Sequence, residues 1–247
     1  MQIACRTASS AARPQRASRG LATFNWVTTV DVVLPNTTNA KSRGGKNYRF
    51  RSGRLAPEHV EIVDNVSVTS RIACLFDICR YHGRLACLVA LESARNTWPE
   101  LTVVTLLEMS RGLPRAKGLR LFRQVIEASV GTSESALETV VRDLVVRIPG
   151  VTSVRGQVTF TYRSLLNDDP RTGRIDLVVN DIIAIECDGR VFHSDDIRAD
   201  ERRREKQLLN RGMIVLPVGW TEVRAGEIQP LEERALRNVG DAQRLSA

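Results

Sequence analysis

The chain has 247 residues, of which 43% are apolar, and a formal net charge of +8. This is enough apolar material for a globular core, and no apolar run approaches the ~20 residues that a membrane-spanning helix needs. Five cysteines without a C-x-x-C pair and three scattered histidines argue against a disulfide framework and a zinc cluster. We therefore expect a protein without a membrane anchor, with free thiols, in the reducing cytoplasm.

The first 55 residues form a basic segment that we predict to be partly disordered. Residues 1–55 contain ten Lys and Arg side chains against one acid, Asp31, a composition typical of contact with phosphate backbones or of a solvated tail. Residues 1–23 contain no acid, so they fit either a basic arm or a mitochondrial transit peptide. Residues 30–34 and 48–50 are predicted to be short strands.

Residues 56–130 are predicted to form a helical middle region. Apolar side chains recur at three- and four-residue spacing from Ile72 onward, after Thr69 or Ser70 as the N-cap. Further helical segments are expected at 85–94, 101–109 and 119–128.

Residues 131–247 change to an α/β pattern. An amphipathic helix over 135–148 is closed by Pro149-Gly150. Three strands, a charged helix and a last strand are predicted to follow at 158–163, 174–179, 182–188, 196–211 and 213–218. This order predicts an α/β sandwich in which residues 182–187, apolar on both faces, form a central strand.

Two acids on consecutive predicted strands, Asp176 and Glu186, are candidate ligands of Mg²⁺, which prefers oxygen ligands and keeps waters for substrate phosphate. A two-residue turn at Asn180-Asp181 would place Asp176 opposite Ile185, on the other face from Glu186. A three-residue connection or a bulge would pair the two acids, and Asp188 shares the face of Glu186. In the structural interpretation, Asp176 caps a strand, Glu186 pairs with an arginine and Asp188 begins a turn.

Several motifs surround these acids: Arg174-Ile-Asp-Leu-Val-Val, Ile185-Glu-Cys-Asp-Gly, His193, Leu208-x3-Gly212, Trp220 and Val223. With these motifs, residues 132–224 resemble the very-short-patch-repair-like branch of the PD-(D/E)XK nucleases. The resemblance implies a restriction-endonuclease-like core (α-β-β-β-α-β) at the C-terminus and a divalent-metal-dependent DNA endonuclease, acting in DNA repair or phage defence.

The resemblance implies a role for each matching residue. Asp176 and Glu186 would hold Mg²⁺ or Mn²⁺, and Asp188 takes the place of the motif lysine, where an aspartate can only add a ligand or accept a proton. His193 would be a general acid or base. Glu138 would be a further acid facing the metal, unless it closes a capping box with Ser135. DNA contacts are expected from Gln157, Arg203, Arg204 and Lys206.

A second hypothesis is a non-catalytic DNA-binding or antitoxin-like regulator that retains a degenerate nuclease fold. The missing lysine and Pro217 in the last strand favour it. Residues 68–77 and Ser135-x2-Glu138 are similar to the central part of AbiEi-like abortive-infection antitoxins, whose usual N-terminal winged helix has no counterpart in the first fifty residues. A third hypothesis is a plain interaction protein. Whether the chain forms a homodimer or has a partner toxin stays open at this stage.

Overall fold

The computed structural model describes residues 3–5, 21–24, 30–35, 44–45, 48–53, 55–63, 65–163, 169–187 and 204–245. The chain divides into two compact units, Met1–Ala136 and Leu137–Ala247. Each unit contains helices and a sheet, so the predicted mixed α/β class is confirmed. Among the residues just given, no helix is both long and apolar enough to cross a membrane.

The first unit contains a six-stranded sheet with the order β3-β4-β2-β1-β6-β5. Its strands are β1 (Ile3–Cys5), β2 (Val30–Pro35), β3 (Gly44–Gly45), β4 (Tyr48–Gly53), β5 (Val60–Val63) and β6 (Val66–Thr69). The short strands predicted near residues 30 and 48 are confirmed as β2 and β4. The β5–β6 hairpin departs from the helical prediction for 56–130, because valine-rich runs flank Asn65, which adopts a φ of 61° that asparagine tolerates in turns.

Three helices follow in this unit: α1 (Arg71–Thr97), α2 (Val103–Met109) and α3 (Leu119–Ala128). The predicted helical segments are thus confirmed, and α1 begins directly after Ser70. Two predicted segments join into α1 across Gly83, whose φ of 89° marks a kink. The core between α1 and α3 centres on Phe76 and Phe122, whose ring centroids are 5.5 Å apart.

Among the cysteines whose side chains the structure describes, one departs from the expectation of free thiols. Cys79, Cys87 and Cys187 are free, whereas Cys74 is disulfide-bonded. An odd number of cysteines without a C-x-x-C pair argues against a disulfide framework, but it does not exclude a single bridge. The expectation is therefore wrong for Cys74.

The second unit follows the predicted order of helix, three strands, helix and strand. Its elements are α4 (Ala136–Val145), β7 (Val154–Arg163), β8 (Pro170–Val179), β9 (Ile183–Cys187), α5 (204–210), β10 (Ile214–Val218), α6 (Trp220–Ala225) and α7 (Ile228–Leu245). The sheet order is β10-β9-β8-β7, so β9 is an interior strand as predicted. β10 runs parallel to β9, which requires the crossover that contains α5.

The sheet of the second unit carries helices on both faces. Ile183 and Ile185 of β9 pack in one apolar cluster with residues of α4 and α7, such as Val141 and Ile228. Ala184, between them, packs in a second cluster with Leu208 of α5. This alternation is what a strand buried on both sides requires.

A three-residue turn, Asn180 to Ile182, connects β8 to β9 because Val179 pairs with Ile183. Asn180 and Asp181 have φ values of 48° and 61°, in the left-handed region that Asn and Asp tolerate better than most residues. The Asn180 Oδ1 atom accepts hydrogen bonds from the backbone N–H groups of Thr152 at 2.8 Å and Ser153 at 3.1 Å, and Nδ2 donates to the Gly150 carbonyl at 2.8 Å. The turn is therefore anchored to the segment that leads into β7.

Two substitutions of Asn180 measure the contribution of its side-chain hydrogen bonds to stability separately from that of its backbone conformation. Asn180→Gly removes the side-chain hydrogen bonds but keeps access to positive φ, and we expect it to lower the free energy of unfolding by about 1–3 kcal/mol. Asn180→Ala should cost about 1 kcal/mol more, because an ordinary L-residue is strained in this region. Urea unfolding measures both. Equal stability of the alanine and glycine variants would contradict the assigned turn conformation.

Glu232 on α7 is a buried carboxylate. Glu232 is only 1% exposed. Within the described part of the chain, neither of its carboxylate oxygens has a hydrogen-bond partner. Burial raises the pKa of Glu232 from 4.5 to about 7, because the charged form loses its hydration. The folded state therefore disfavours the ionised form at neutral pH.

We expect the stability of the second unit to fall as the pH rises from about 4.5 to about 7, since only the unfolded chain is ionised at Glu232 in that window. Glu232→Gln should remove this dependence and raise the free energy of unfolding at pH 8 by on the order of 1–3 kcal/mol. Glu227→Gln, an exposed change at the residue before α7, is the control. Denaturant unfolding at pH 5 and pH 8 tests this, and parallel pH profiles for wild type and Glu232→Gln would refute it.

Candidate active site

The turn sets a register that brings the two candidate acids together. Leu177 of β8 pairs with Ile185 of β9, so the next position places Asp176 opposite Glu186. The three-residue alternative of the sequence analysis is confirmed, and the two-residue turn is wrong. On the other side of β8, Gln157 of β7 lies opposite Asp176, because the residues on either side of Gln157 pair with Leu177 and Ile175. Pro217 of the edge strand β10 pairs with Glu186, where a missing N–H is tolerated.

Gln157 has an unusual backbone for a strand residue. Its φ is 56°, a left-handed conformation that is uncommon for a residue other than glycine and that the surroundings must enforce. The Gln157 Nε2 atom donates to Glu138 Oε2 at 2.6 Å. Glu138, on the first turns of α4, is only 6% exposed. The distorted backbone thus links a buried acid on α4 to the row that contains Asp176.

β8 is also irregular at Asp176. Leu177 packs in the cluster with α4, while Val178 and Ile175 both pack in the cluster with α5, so the alternation of faces breaks at Asp176. The Asp176 Oδ2 atom accepts the backbone N–H of Cys187 at 2.8 Å, in place of a backbone carbonyl. Burial raises the pKa of Asp176, and the Cys187 N–H and the charge of Arg204 oppose that rise.

Glu186 is neutralised by a cation from α5. The Arg204 Nη2 atom lies 3.0 Å from Glu186 Oε1, and the two side chains are 30% and 17% exposed. Because both are half-buried, the pair is less screened by water than a surface ion pair. Arg204, predicted to contact DNA, is therefore part of the acid cluster in this structure.

Three carboxylates act electrostatically on the thiol of Cys187. Burial raises the pKa of its thiol, and the negative charges of Asp176, Glu138 and Glu186 raise it further. The thiol is therefore protonated at neutral pH. In the sequence, only the position of Cys187 between Glu186 and Asp188, at the end of a central strand, marks it as a site residue. We call Glu138, Gln157, Asp176, Glu186 and Arg204 the acid cluster.

Three predicted site residues, Asp188, His193 and Arg203, lie outside the described residues. Lys206 is on α5, beyond Arg204. The contacts of Asp176 with the Cys187 N–H and of Glu186 with an arginine are those that the structural interpretation expected. Within the described ranges, no group of three His, Cys, Asp or Glu side chains is arranged to hold a metal ion.

Comparison with known proteins identifies no relative: no family profile, no curated protein and no solved structure matches the chain.

The ion pair between Arg204 and Glu186 can be tested by a double-mutant cycle. Arg204→Gln should lower the free energy of unfolding by about 1–3 kcal/mol, because it leaves Glu186 among other carboxylates without its cation. In a Glu186→Gln background the same change should cost clearly less. Arg237→Gln, which removes an exposed pair with Glu233, is the control and should cost under about 0.5 kcal/mol. Equal costs of Arg204→Gln in both backgrounds would show that the pair carries no coupling.

Proposed function

We propose that residues 137–247 form a restriction-endonuclease-like core that hydrolyses phosphodiester bonds of DNA with a divalent metal ion. The observation that carries this proposal is the row of Gln157, Asp176 and Glu186 across three neighbouring strands, with Glu138 hydrogen-bonded to Gln157 from α4. The order of elements in this unit and the resemblance of residues 132–224 to PD-(D/E)XK nucleases support it as well.

The acids fit a hard cation. Mg²⁺ and Mn²⁺ prefer carboxylate oxygens, and Mg²⁺ is commonly held by one or two carboxylates with waters and substrate phosphate completing its shell. Asp176 and Glu186 would be those two carboxylates. Bound there, the metal would supply Lewis acidity and a water of lowered pKa. Burial, which raises the pKa of Asp176, indicates that this position gains from a nearby positive charge.

The chain's own residues have separate tasks in this proposal. Glu138 and Gln157 position the residues of the row. Gln157 donates a hydrogen bond to Glu138, and its backbone adopts a strained, left-handed conformation. Arg204 places positive charge beside the carboxylates, where a phosphate would have to approach. By the resemblance alone, Asp188 would be a further metal ligand or a proton acceptor, and His193 would be a general acid or base.

A second candidate is a DNA-binding regulator that has kept the fold and lost the chemistry. Two contacts favour it: Arg204 already balances Glu186, and Asp176 already serves as acceptor for the Cys187 N–H. Both acids have structural partners, so neither requires a metal to be satisfied.

Incubation of the protein with supercoiled plasmid and Mg²⁺ or Mn²⁺ tests the nuclease proposal. Wild type should nick the plasmid, and Asp176→Asn/Glu186→Gln should be slower by a factor of about 10³ or more, because it removes several kcal/mol of transition-state stabilisation at ~1.4 kcal/mol per tenfold. These isosteric changes keep the hydrogen-bond geometry of the row. Glu227→Gln, an exposed change away from the acid cluster, is the control and should cut like wild type.

The same experiment separates the two candidates. Equal nicking by wild type and the double variant, or none by either, would refute the nuclease proposal. If wild type retards DNA on a gel without cutting it in either metal, the regulator is the correct assignment. Thermal unfolding with and without Mg²⁺ gives an independent measure, since a metal that binds only the folded state raises the midpoint.

A further inference from the structure

A groove of about 630 Å³ lies between α5 and the end of the β7–β8 pair in the second unit. Its lining includes Tyr162, Arg163, Lys206, Gln207, Asn210 and Arg211. Only Lys206 among these was assigned a DNA contact by the sequence. The groove is distinct from the acid cluster, since no residue of that cluster lines it.

Specific contacts hold the two walls of the groove together. The Gln207 side chain donates from Nε2 to the Arg163 carbonyl at 3.2 Å and accepts the Arg163 N–H at Oε1 at 3.4 Å. It thus pairs with the backbone of the edge strand β7 as a neighbouring strand would. The Arg211 Nη2 atom donates to the Thr161 carbonyl at 2.6 Å, and its guanidinium lies 5.5 Å from the centre of the Phe160 ring. The walls are therefore fixed to each other.

The lining is positively charged. Among the residues that the structure describes, the lining contains three cations, Arg163, Lys206 and Arg211, and no acid. In the part of the chain that the structure describes, the Lys206 ammonium forms no hydrogen bond or ion pair. Two acids, Asp169 and Glu205, precede lining residues in sequence without lining the groove. A concave surface with cations, amides and one aromatic ring matches the chemistry of a sugar–phosphate backbone.

The groove and the acid cluster share two elements, α5 and β7. α5 carries Arg204, which contacts Glu186, and further along its length Lys206, Gln207 and Asn210, which line the groove. On β7, Tyr162 in the groove is five positions after Gln157 in the acid cluster. At ~3.3 Å per strand residue this is roughly 17 Å.

We propose that this groove binds the phosphate backbone of the DNA, roughly 17 Å along β7 from the acid cluster. The proposal rests on the nuclease or DNA-binding function proposed above, and it adds a contact that fixes the position of the DNA relative to the acids. Tyr162, Asn210 and Arg211 are assigned to this contact together with Lys206.

The test measures binding without cleavage. The full chain is titrated into a fluorescently labelled duplex of thirty base pairs in EDTA, at several salt concentrations, and fluorescence anisotropy gives the dissociation constant. Lys206→Gln should weaken binding and lower the slope of log K against log salt by about 0.9, the value of one lost phosphate contact. Lys206→Gln/Arg211→Gln should lower it by about 1.8. Arg234→Gln removes one exposed charge from α7 and should leave slope and affinity unchanged.

Each outcome bears on the proposal. A lower slope of log K against log salt in the Lys206 variants, but not in Arg234→Gln, supports the groove. This holds even if the plasmid assay shows no cutting. A failure of catalysis and a failure of the groove are therefore distinguishable. Unchanged binding by Lys206→Gln/Arg211→Gln overturns the groove even if wild type cuts. No binding of DNA by wild type overturns it as well. Thermal unfolding of each variant checks that the fold is retained, and Lys206→Gln, an exposed single change, keeps the test valid if the double variant unfolds.

Discussion

The register between β8 and β9 is the constraint on which the acid cluster depends. A turn one residue shorter would slide β9 past β8 and place Ile185, not Glu186, opposite Asp176. Four hydrogen bonds between the Asn180 side chain and residues 150–153 prevent that slip. The same residues lead into β7, so one side chain positions all three strands that carry Gln157, Asp176 and Glu186.

With this register, several negative charges lie near one another, and a different neighbouring group stabilises each of them. Glu186 is paired with Arg204, Asp176 accepts the Cys187 N–H, and Glu138 accepts from Gln157. Each solution has a cost: the alternation of β8 breaks, and Gln157 adopts a left-handed backbone. Distortion of this kind persists only where surrounding structure enforces it, and it is concentrated at functional sites more often than elsewhere.

The order of elements in the second unit followed from the sequence, because apolar periodicity reports directly on which faces are buried. The register did not follow, because turn length was decided by Asn180 contacts with residues some thirty positions earlier in the chain. Gln157 was assigned from a resemblance, and nothing in its local sequence predicts a positive φ. The β5–β6 hairpin was obscured because a four-residue strand has too few residues to show a clear period. Arg204 was identifiable as a cation near the site, but its partner depended on the fold.

The two candidate functions differ in what they require of the carboxylates. A regulator needs only the fold and the positive surface of α5, and the contacts of the acids with Arg204, the Cys187 N–H and Gln157 would then serve the fold alone. A metal-dependent nuclease needs Asp176 and Glu186 as ionised oxygens on one row. Arg204 is compatible with both, since a cation that neutralises Glu186 in the absence of metal can be released when metal binds. A metal site needs neighbouring acids such as Asp176 and Glu186 and a regulator does not, which is the physical argument for catalysis over mere binding.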